Sequence, residues 1–552
     1  MVKNKQVPSR KDFKVLIVMP KLILTTKVNY NYMIPLGLTY ISSAIKKAGY
    51  NSDCLNLNHR EGTISEILGK ELDKEKYDVV CTQLVGGPNY VVTEEIRKCV
   101  KEHSSHPKFI VGGALITSEP ELIFNSLGLD FGVLGEGEIT IVELLDCIKK
   151  KGDFSKVKGI IYKDEKGKTK VTEKREPIKD IESIPYPDFE GFEFKEYLKH
   201  LYCNQQHYNQ SYDYPVPYPI MSSRSCPFQC TFCYHSIGYK YRERSIEDVI
   251  NEIKMAIKKY KINIVALYDD MFSFKKERIY EFCEKIKEIN KELPQKIKWY
   301  CQLSVVGIDK DLLKTMKDSG CSVISYGFES MDPKVLKSMR KPIKPEQIDF
   351  AIRSTLNEKI GIQGNFIFGD VAETKETAKK TLDYWRKNCH GQVGLGFIQP
   401  YPGSAVYLHC LKKGLIKDKL KFILGALEGK KALNMTDKMK EKEFGELVKE
   451  VPRLVDNYFR HITPLSVKKD KGGKRYKVKV NCPFCKKNIE YGNYNLQKRL
   501  LYRRVIYCRE CGMRFVVVSS LMKLSGSFPY LKSRSEKAIR KIRSTMSVRN
   551  IK

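Results

Sequence analysis

The chain has 552 residues, too many for one compact core, so roughly three or four domains are expected. Apolar residues make up 42% and charged residues 30%, with no apolar run of about 18 or more, which excludes a conventional membrane-spanning helix. The net charge of +34 is uneven: residues 468–552 hold 24 Lys and Arg against 4 Asp and Glu, a net of +20 that leaves +14 for the rest.

The N-terminus, Met1-Val2-Lys3-Asn4-Lys5, has charge but no apolar stretch behind it, so it does not read as a secretory signal. Residues 12–150 alternate apolar strands with helical patterns. Phe13–Met19 is a first buried strand, Leu38–Lys47 a helix closed at Gly49, and Tyr77–Cys81 a second buried strand. Phe109–Val111 and Asp130–Leu134 follow, each closed by glycine. Strands alternating with helices predict a doubly wound parallel sheet covered on both faces.

Residues 151–218 begin with a hairpin, Gly159–Tyr162 and Thr169–Thr172 around Asp164-Glu165-Lys166-Gly167. An extended Pro-rich linker follows at Ile184–Asp188. Residues 192–220 then contain eight aromatics, six of them Tyr, which either line a substrate cavity or pack a long connector. Residues 219–405 form a second αβ series. Its strands are Pro219–Ser223, Ile264–Tyr268, Trp299–Val305, Ser322–Gly327, Gly364–Phe368 and Gly394–Ile398. Six such units predict a partial (β/α)6 barrel with its chemistry at the strand C-terminal ends. Residues 406–466 read as a helical extension, 467–522 as a cysteine ribbon and 523–552 as a basic tail.

The 17 cysteines are an odd number, read as ligands, reactive thiols or small core residues in a reducing cytoplasm. Cys226, Cys230 and Cys233 form a C-x3-C-x2-C run directly after the first barrel strand. Three thiolates this close can hold three corners of a metal cluster, and core packing does not require that spacing. Iron–sulfur clusters usually take four thiolates, so three leave one iron open to another ligand. Cys482, Cys485, Cys508 and Cys511 make two C-x2-C knuckles separated by 22 residues. Four thiolates in a tetrahedron predict a structural zinc ribbon, and a rubredoxin-like iron site would use the same ligands.

The ordered motifs at successive strand ends resemble the radical S-adenosylmethionine superfamily over roughly residues 219–405. Phe232 before the last cysteine fits that pattern. Tyr268-Asp269-Asp270-Met271-Phe272 resembles the Asp-Asp motif of the cobalamin-associated branch, in place of Gly-Gly-Glu. Gly327-Phe328-Glu329-Ser330, Gly364–Gly369 with Glu373-Thr374, and Pro400–Ser404 resemble its later motifs. Val371-Ala372 stands where the family usually has Pro-Gly. The resemblance implies a 4Fe-4S cluster on Cys226, Cys230 and Cys233, with the open iron chelated by S-adenosylmethionine. One electron then releases a 5′-deoxyadenosyl radical. It further implies that Asp269 or Asp270 meets the amino group of S-adenosylmethionine. Glu329 would meet ribose hydroxyls or the amine, and the backbone near Gly364, Ile367 and Gly369 would lie along adenine.

Residues 12–150 resemble the cobalamin-binding domain of that branch. Pro35-Leu36-Gly37-Leu38, Gly112-Gly113-Ala114 and Gly135-Glu136-Gly137-Glu138 carry this likeness, and all follow predicted strands. Gly112, Gly113, Gly135, Glu136 and Gly137 are the implied corrinoid contacts. The Asp-x-His-x-x-Gly motif of proteins that supply an axial histidine is absent, since the loop Pro20–Ile34 has no His. His59-Arg60-Glu61-Gly62 keeps the spacing, but Leu57 stands where Asp would be, so His59 is read as a loop residue.

The expected protein is therefore a radical S-adenosylmethionine enzyme, with cobalamin-dependent methyl transfer the leading reaction. Cyclisation, oxidation and carbon–carbon coupling occur in the same branch. Two alternatives are a tRNA-modifying methylthiotransferase and a non-catalytic metal-containing protein that binds nucleic acid or senses redox state. Enzymes of the first kind carry a second cluster on three N-terminal cysteines, one of them soon after strand one, and that loop has no cysteine here. The expected partners are a small-molecule or lipid-like substrate and an electron donor such as flavodoxin or ferredoxin. The basic C-terminus would meet an anionic membrane surface or nucleic acid. The expected location is cytoplasmic, peripheral at the membrane if residues 534–552 form a surface helix on Ile539, Ile542 and Met546.

Overall fold

A computed structural model describes residues 9–425, 432–470, 472–473, 475–496 and 501–526. The tail beyond Gly526, with Ile539, Ile542 and Met546, lies outside the described residues.

The first sheet has seven strands in the order β2-β1-β3-β4-β5-β6-β7. These are β1 (Lys14–Met19), β2 (Asn51–Asn56), β3 (Val79–Gln83), β4 (Lys108–Gly112), β5 (Phe131–Val133), β6 (Ile160–Lys163) and β7 (Thr169–Val171). The first five are parallel, and β6 and β7 add antiparallel at the β5 edge. The hairpin grouped by sequence with the linker thus extends the first sheet. β1 is buried on both faces: Val15, Ile17 and Met19 enter one core, Leu16 and Val18 another. That is why its sequence is a continuous apolar run rather than an alternation. β2, with the polar sequence NSDCLN, gives no such signal, because it is an edge strand with an exposed start.

The second sheet is a partial barrel of six parallel strands in sequential order, β8-β11-β12-β13-β14-β15. They are β8 (Pro217–Ile220), β11 (Ile264–Leu267), β12 (Lys298–Leu303), β13 (Cys321–Glu329), β14 (Gly361–Phe368) and β15 (Gly394–Phe397). β8 starts two residues earlier than its sequence suggested. It tolerates Pro217 and Pro219 because it is an edge strand that pairs only with β11. Between β8 and β11 a short antiparallel pair, β9 (Ser223–Arg224) and β10 (Arg242–Glu243), brackets the cysteine loop. Ile264, Ala266, Tyr300 and Val323 point into the lumen, where Tyr208 and Tyr507 cover them. Phe192, Phe194 and Tyr197 from the aromatic-rich segment, with Phe189 just before it, join the core that holds Ile17 and Val265. The segment therefore packs a connector and welds the two sheets into one body.

Helices Ala405–Lys412, Lys419–Gly425 and Glu441–Tyr458 lead to the ribbon. It contains β16 (His461–Ile462), β17 (Ser466–Lys469), β18 (Tyr476–Asn481), β19 (Asn488–Tyr494), β20 (Arg503–Tyr507) and β21 (Arg514–Val518), arranged as two three-stranded sheets. The ribbon docks at the N-terminal ends of the barrel strands, opposite the cysteine loop. Tyr507 Oη donates to Ile362 O at 2.9 Å, and Arg514 Nε to Gly391 O at 2.8 Å. No helix among the described residues is long and apolar enough to cross a membrane.

Candidate active site between the two domains

The cysteine loop leaves β9 through Ser225, whose φ of 67° is a left-handed conformation rare for a side-chain-bearing residue. Backbone bonds hold the loop's far side: Thr231 N donates to Met339 O at 3.0 Å, and Val406 N to Thr231 O at 3.0 Å. The neighbouring Cys233 thiol brings the Cys230 thiol down to about 7, against the opposing effect of burial. Cys226 lies near enough to feel the Cys230 charge. The three thiols share one loop, although among the described residues only the four ribbon cysteines lie mutually within 4.8 Å; one thiol inclined to ionise suits a cluster that three thiolates hold.

Beside them stands Lys341, which sequence reasoning missed. Its Nζ lies 2.9 Å from Glu329 Oε1. Burial opposes the ammonium charge, but Glu329 and Cys230 outweigh it and raise its pKa. Glu329 itself sits at φ 64° at the end of β13. A Cβ on Gly327 would fall 2.4 Å from Glu329 Oε1 and 2.5 Å from Lys341 Nζ, so glycine there is what lets this ion pair fold over the strand. Nothing in the stretch Arg340-Lys341-Pro342 marks Lys341 at the sequence level; only the fold brings it to the cysteines.

The acidic pair divides its work. Asp269 is buried and accepts from Ser222 N at 2.7 Å, Ser222 Oγ at 2.5 Å and Ser223 N at 2.9 Å. Burial pushes its carboxyl up to about 7. Its role is to splice the end of β11 to the segment entering the cysteine loop. Asp270 is exposed at the strand end, but the protein packed around its carboxyl raises its pKa above the usual carboxylate value, with His235 pulling the other way. On β14, Gly364 faces the outer core, where a Cβ would press on Phe328 and Tyr326 O. Ile367 is half-buried beside Gly396, and Gly369, at φ 99°, forms a turn whose N donates to Glu373 Oε2 at 2.5 Å. Asp270, Glu329 and Ile367 therefore gather at the barrel mouth, while Asp269, Gly364 and Gly369 shape the backbone around it.

At the C-terminal edge of the first sheet lies an open cleft with a cavity volume of about 180 Å³. Gly37, Gly112, Gly113, Gly135 and Gly137 line it with bare backbone. The opposite wall comes from the barrel: Met221 and Arg224 before the cysteine triplet, and Ile237 after it. This apolar, glycine-lined space has the character that a large flat corrinoid needs. Glu136 lines the cleft too, but its carboxylate is committed. It accepts from Ile178 N at 2.7 Å, and pairs with Arg224 at 3.0 Å and Arg242 at 2.8 Å. His59 is a core residue rather than a loop residue: Nε2 meets Tyr32 Oη at 2.8 Å and Nδ1 meets Glu193 Oε2 at 2.9 Å. Both ring nitrogens are engaged, which leaves none to reach a metal.

In the ribbon, the thiols of Cys482, Cys485, Cys508 and Cys511 all lie within 4.8 Å of one another. Cys482 and Cys511 are 3.8 Å apart, and Cys485 and Cys508 are 3.7 Å apart. A tetrahedron of metal–sulfur bonds of about 2.3 Å has edges of about 3.8 Å.

Residues 220–384 match the model of the Radical SAM superfamily, and residues 23–145 match that of the B12 binding domain. An uncharacterized methyltransferase of Pyrococcus horikoshii is 27% identical over 413 residues, spanning 74% of this chain and 85% of that one. The cytidylyl-2-hydroxyethylphosphonate methyltransferase of Streptomyces wedmorensis is 24% identical over 465 residues, spanning 74% and 83%. Among solved structures, the radical S-adenosylmethionine methyltransferase TsrM from Kitasatospora setae, with cobalamin and a 4Fe-4S cluster bound, superimposes with a TM-score of 0.58. That match has 15% sequence identity and covers 72% of this chain and 75% of the other, a shared fold.

Proposed function

We propose that this chain, a radical S-adenosylmethionine enzyme carrying a B12-binding domain, transfers a methyl group to a carbon that ordinary nucleophilic methylation cannot reach. The observation that carries this reading is the shared wall: the residues flanking the cysteine triplet also close the glycine-lined cleft. A methyl donor in that cleft and a radical made at the cysteines would face one space, as efficient transfer requires. When bound, the cluster supplies the electron that cleaves S-adenosylmethionine, and cobalamin supplies the methyl group. The chain's own residues do the rest. Cys226, Cys230 and Cys233 would hold the cluster through three thiolates. Lys341 offers a cation to the carboxylate of S-adenosylmethionine, and Asp270 and Glu329 offer acceptors to its amine and ribose. The lumen floor of Tyr208, Tyr300 and Tyr507 keeps water from entering below.

The same reading assigns zinc to the ribbon, on the tetrahedral spacing of its thiols. The reading keeps the cysteines as ligands or core thiols of a reducing cytoplasm, with a flavodoxin- or ferredoxin-like electron donor. Residues 527–552 add 8 Lys and Arg against one Glu, suited to drawing in a small anionic or lipid-like substrate or an acidic surface. The deciding experiment is anaerobic reconstitution with iron, sulfide and hydroxocobalamin, then incubation with dithionite and S-adenosylmethionine. Both 5′-deoxyadenosine and S-adenosylhomocysteine are expected, the latter only with corrinoid. Deoxyadenosine without corrinoid-dependent S-adenosylhomocysteine would leave a radical enzyme that does not transfer methyl groups.

A further inference from the structure

Arg224 and Arg242 stand directly opposite each other in the β9–β10 pair. Two like charges facing across a ladder repel, and here both are buried, with 7% of each exposed. Their compensation comes from the other domain. Glu136 bridges both guanidinium groups, at 3.0 Å to Arg224 and 2.8 Å to Arg242, and Glu138 takes the second arm of Arg224 at 2.5 Å. Arg242 also donates to Ile178 O at 2.7 Å, and Arg224 lies over the Tyr40 ring at 5.4 Å from its centroid. Two positive and two negative charges close the network among the described residues.

Its position gives it a task. The glutamates belong to the turn Gly135–Glu138, which forms one side of the cleft. Arg224 precedes Cys226 by two residues, and Arg242 reaches Ser225 Oγ at 3.4 Å. On the loop's far flank, a Cβ on Gly135 would come 3.9 Å from Ser236 O. The turn that borders the cleft thus grips the cysteine loop at its entrance and touches it at its exit. Three thiols gathered around a cluster would fix residues 225–238, which follow Arg224 directly and include Ile237, and both of these line the cleft.

We propose that this buried four-residue clamp couples the two cofactor sites, so that the cysteine loop, once gathered around its cluster, tightens corrinoid binding in the cleft. Glu136, Glu138, Arg224 and Arg242 are positioning residues in this account. The inference rests on the cofactor reading above. Linkage makes the effect reciprocal, and couplings of this kind are typically about five- to 150-fold.

The test measures hydroxocobalamin affinity by ultrafiltration and absorbance, on full-length protein with and without the reconstituted cluster. The cluster-loaded form is expected to bind at least about fivefold more tightly. Glu138→Gln keeps the shape of the side chain and removes its charge. In that variant the affinity ratio is expected to fall towards one, while each site still loads alone. Equal affinity in the two wild-type forms overturns the coupling without any variant. An unchanged ratio in Glu138→Gln, or loss of corrinoid from both forms of it, also overturns the clamp as the coupling device. If wild-type protein binds no hydroxocobalamin in either form, the B12 reading itself fails, a result distinct from equal binding.

Discussion

Glu373 shows how far burial, aided by the nearby Asp370 and Asp332, can move a side chain's chemistry. It is fully buried and accepts from Gly369 N through Oε2, while Oε1 has no partner. Burial pushes its pKa from the usual 4.5 up to about 8. Between those values the folded protein keeps a proton that the unfolded chain has lost, so folding becomes less favourable as pH rises through this window. Below it both states are protonated and the difference disappears. Glu373→Gln keeps an oxygen for Gly369 N and cannot ionise. Its melting temperature relative to wild type is expected to gain at least about 2 °C from pH 5 to pH 8. A constant difference across that range would show that Glu373 is ionised in the fold. At this scale the sequence revealed residue types better than roles. The cysteine triplet was legible because its spacing has few structural uses. Asp269 and Asp270 looked equivalent, and only the Ser222 and Ser223 donors separate the buried tie from its exposed neighbour.

Among the elements, the glycines of the cleft divide in the same way. Gly113 has a φ of 113°, and a Cβ there would lie 2.7 Å from Leu84 O. Any side chain at Gly113 would disturb the first sheet itself, so a loss of corrinoid would prove little. Gly37 lies in the first turn of helix Leu36–Lys47, and the nearest atom to its Cβ would be Gln83 Oε1 at 3.6 Å. Gly37→Leu therefore projects into the cleft without a backbone clash and removes a helix-weakening glycine. Hydroxocobalamin affinity is expected to fall at least about tenfold, a change of about 1.4 kcal/mol, with the melting temperature held or raised. Unaltered affinity, measured by the same ultrafiltration assay, would place the corrinoid elsewhere. Sequence could mark both glycines as following or bordering strands. It could not say which one spared a ligand and which one spared Leu84, because that depends on how closely β3 and β4 approach. Strand β2 was illegible for a related reason: an edge strand with polar residues lacks the apolar run that exposes its buried neighbours.

For the whole molecule, the order of the modules was legible and their mutual packing was not. Periodicity reports which side of an element is buried, not which distant element buries it. The ribbon is the main instance. It reads as an appended basic module, yet it is built into the barrel. Cys203 from the connector lies in the ribbon core, and its N donates to Asn493 O at 3.1 Å. Gln210 Oε1 accepts from Tyr507 N at 2.6 Å, and the Tyr507 ring closes the lumen floor. Fully burying one such aromatic side chain contributes about 1.5–3 kcal/mol. The basic charge splits between this docked part and the tail: 8 Lys and Arg against one Glu fall in 527–552, a net of +7 out of +20. Two truncations separate bracing from recruitment. Ending the chain after Leu465 removes Tyr507 and uncovers Tyr208 and Tyr300. The melting temperature is expected to drop by about 5 °C or more, with cluster content falling alongside and neither change responding to salt. Ending it after Gly526 keeps the brace, so stability and cluster content should hold. Retention on acidic liposomes, if the tail recruits an anionic surface, should fall in that shorter protein, and in the full chain should weaken as salt rises. A Leu465 truncation as stable as the full chain would make the ribbon a separate module. Equal liposome retention with and without residues 527–552 would remove the tail from recruitment.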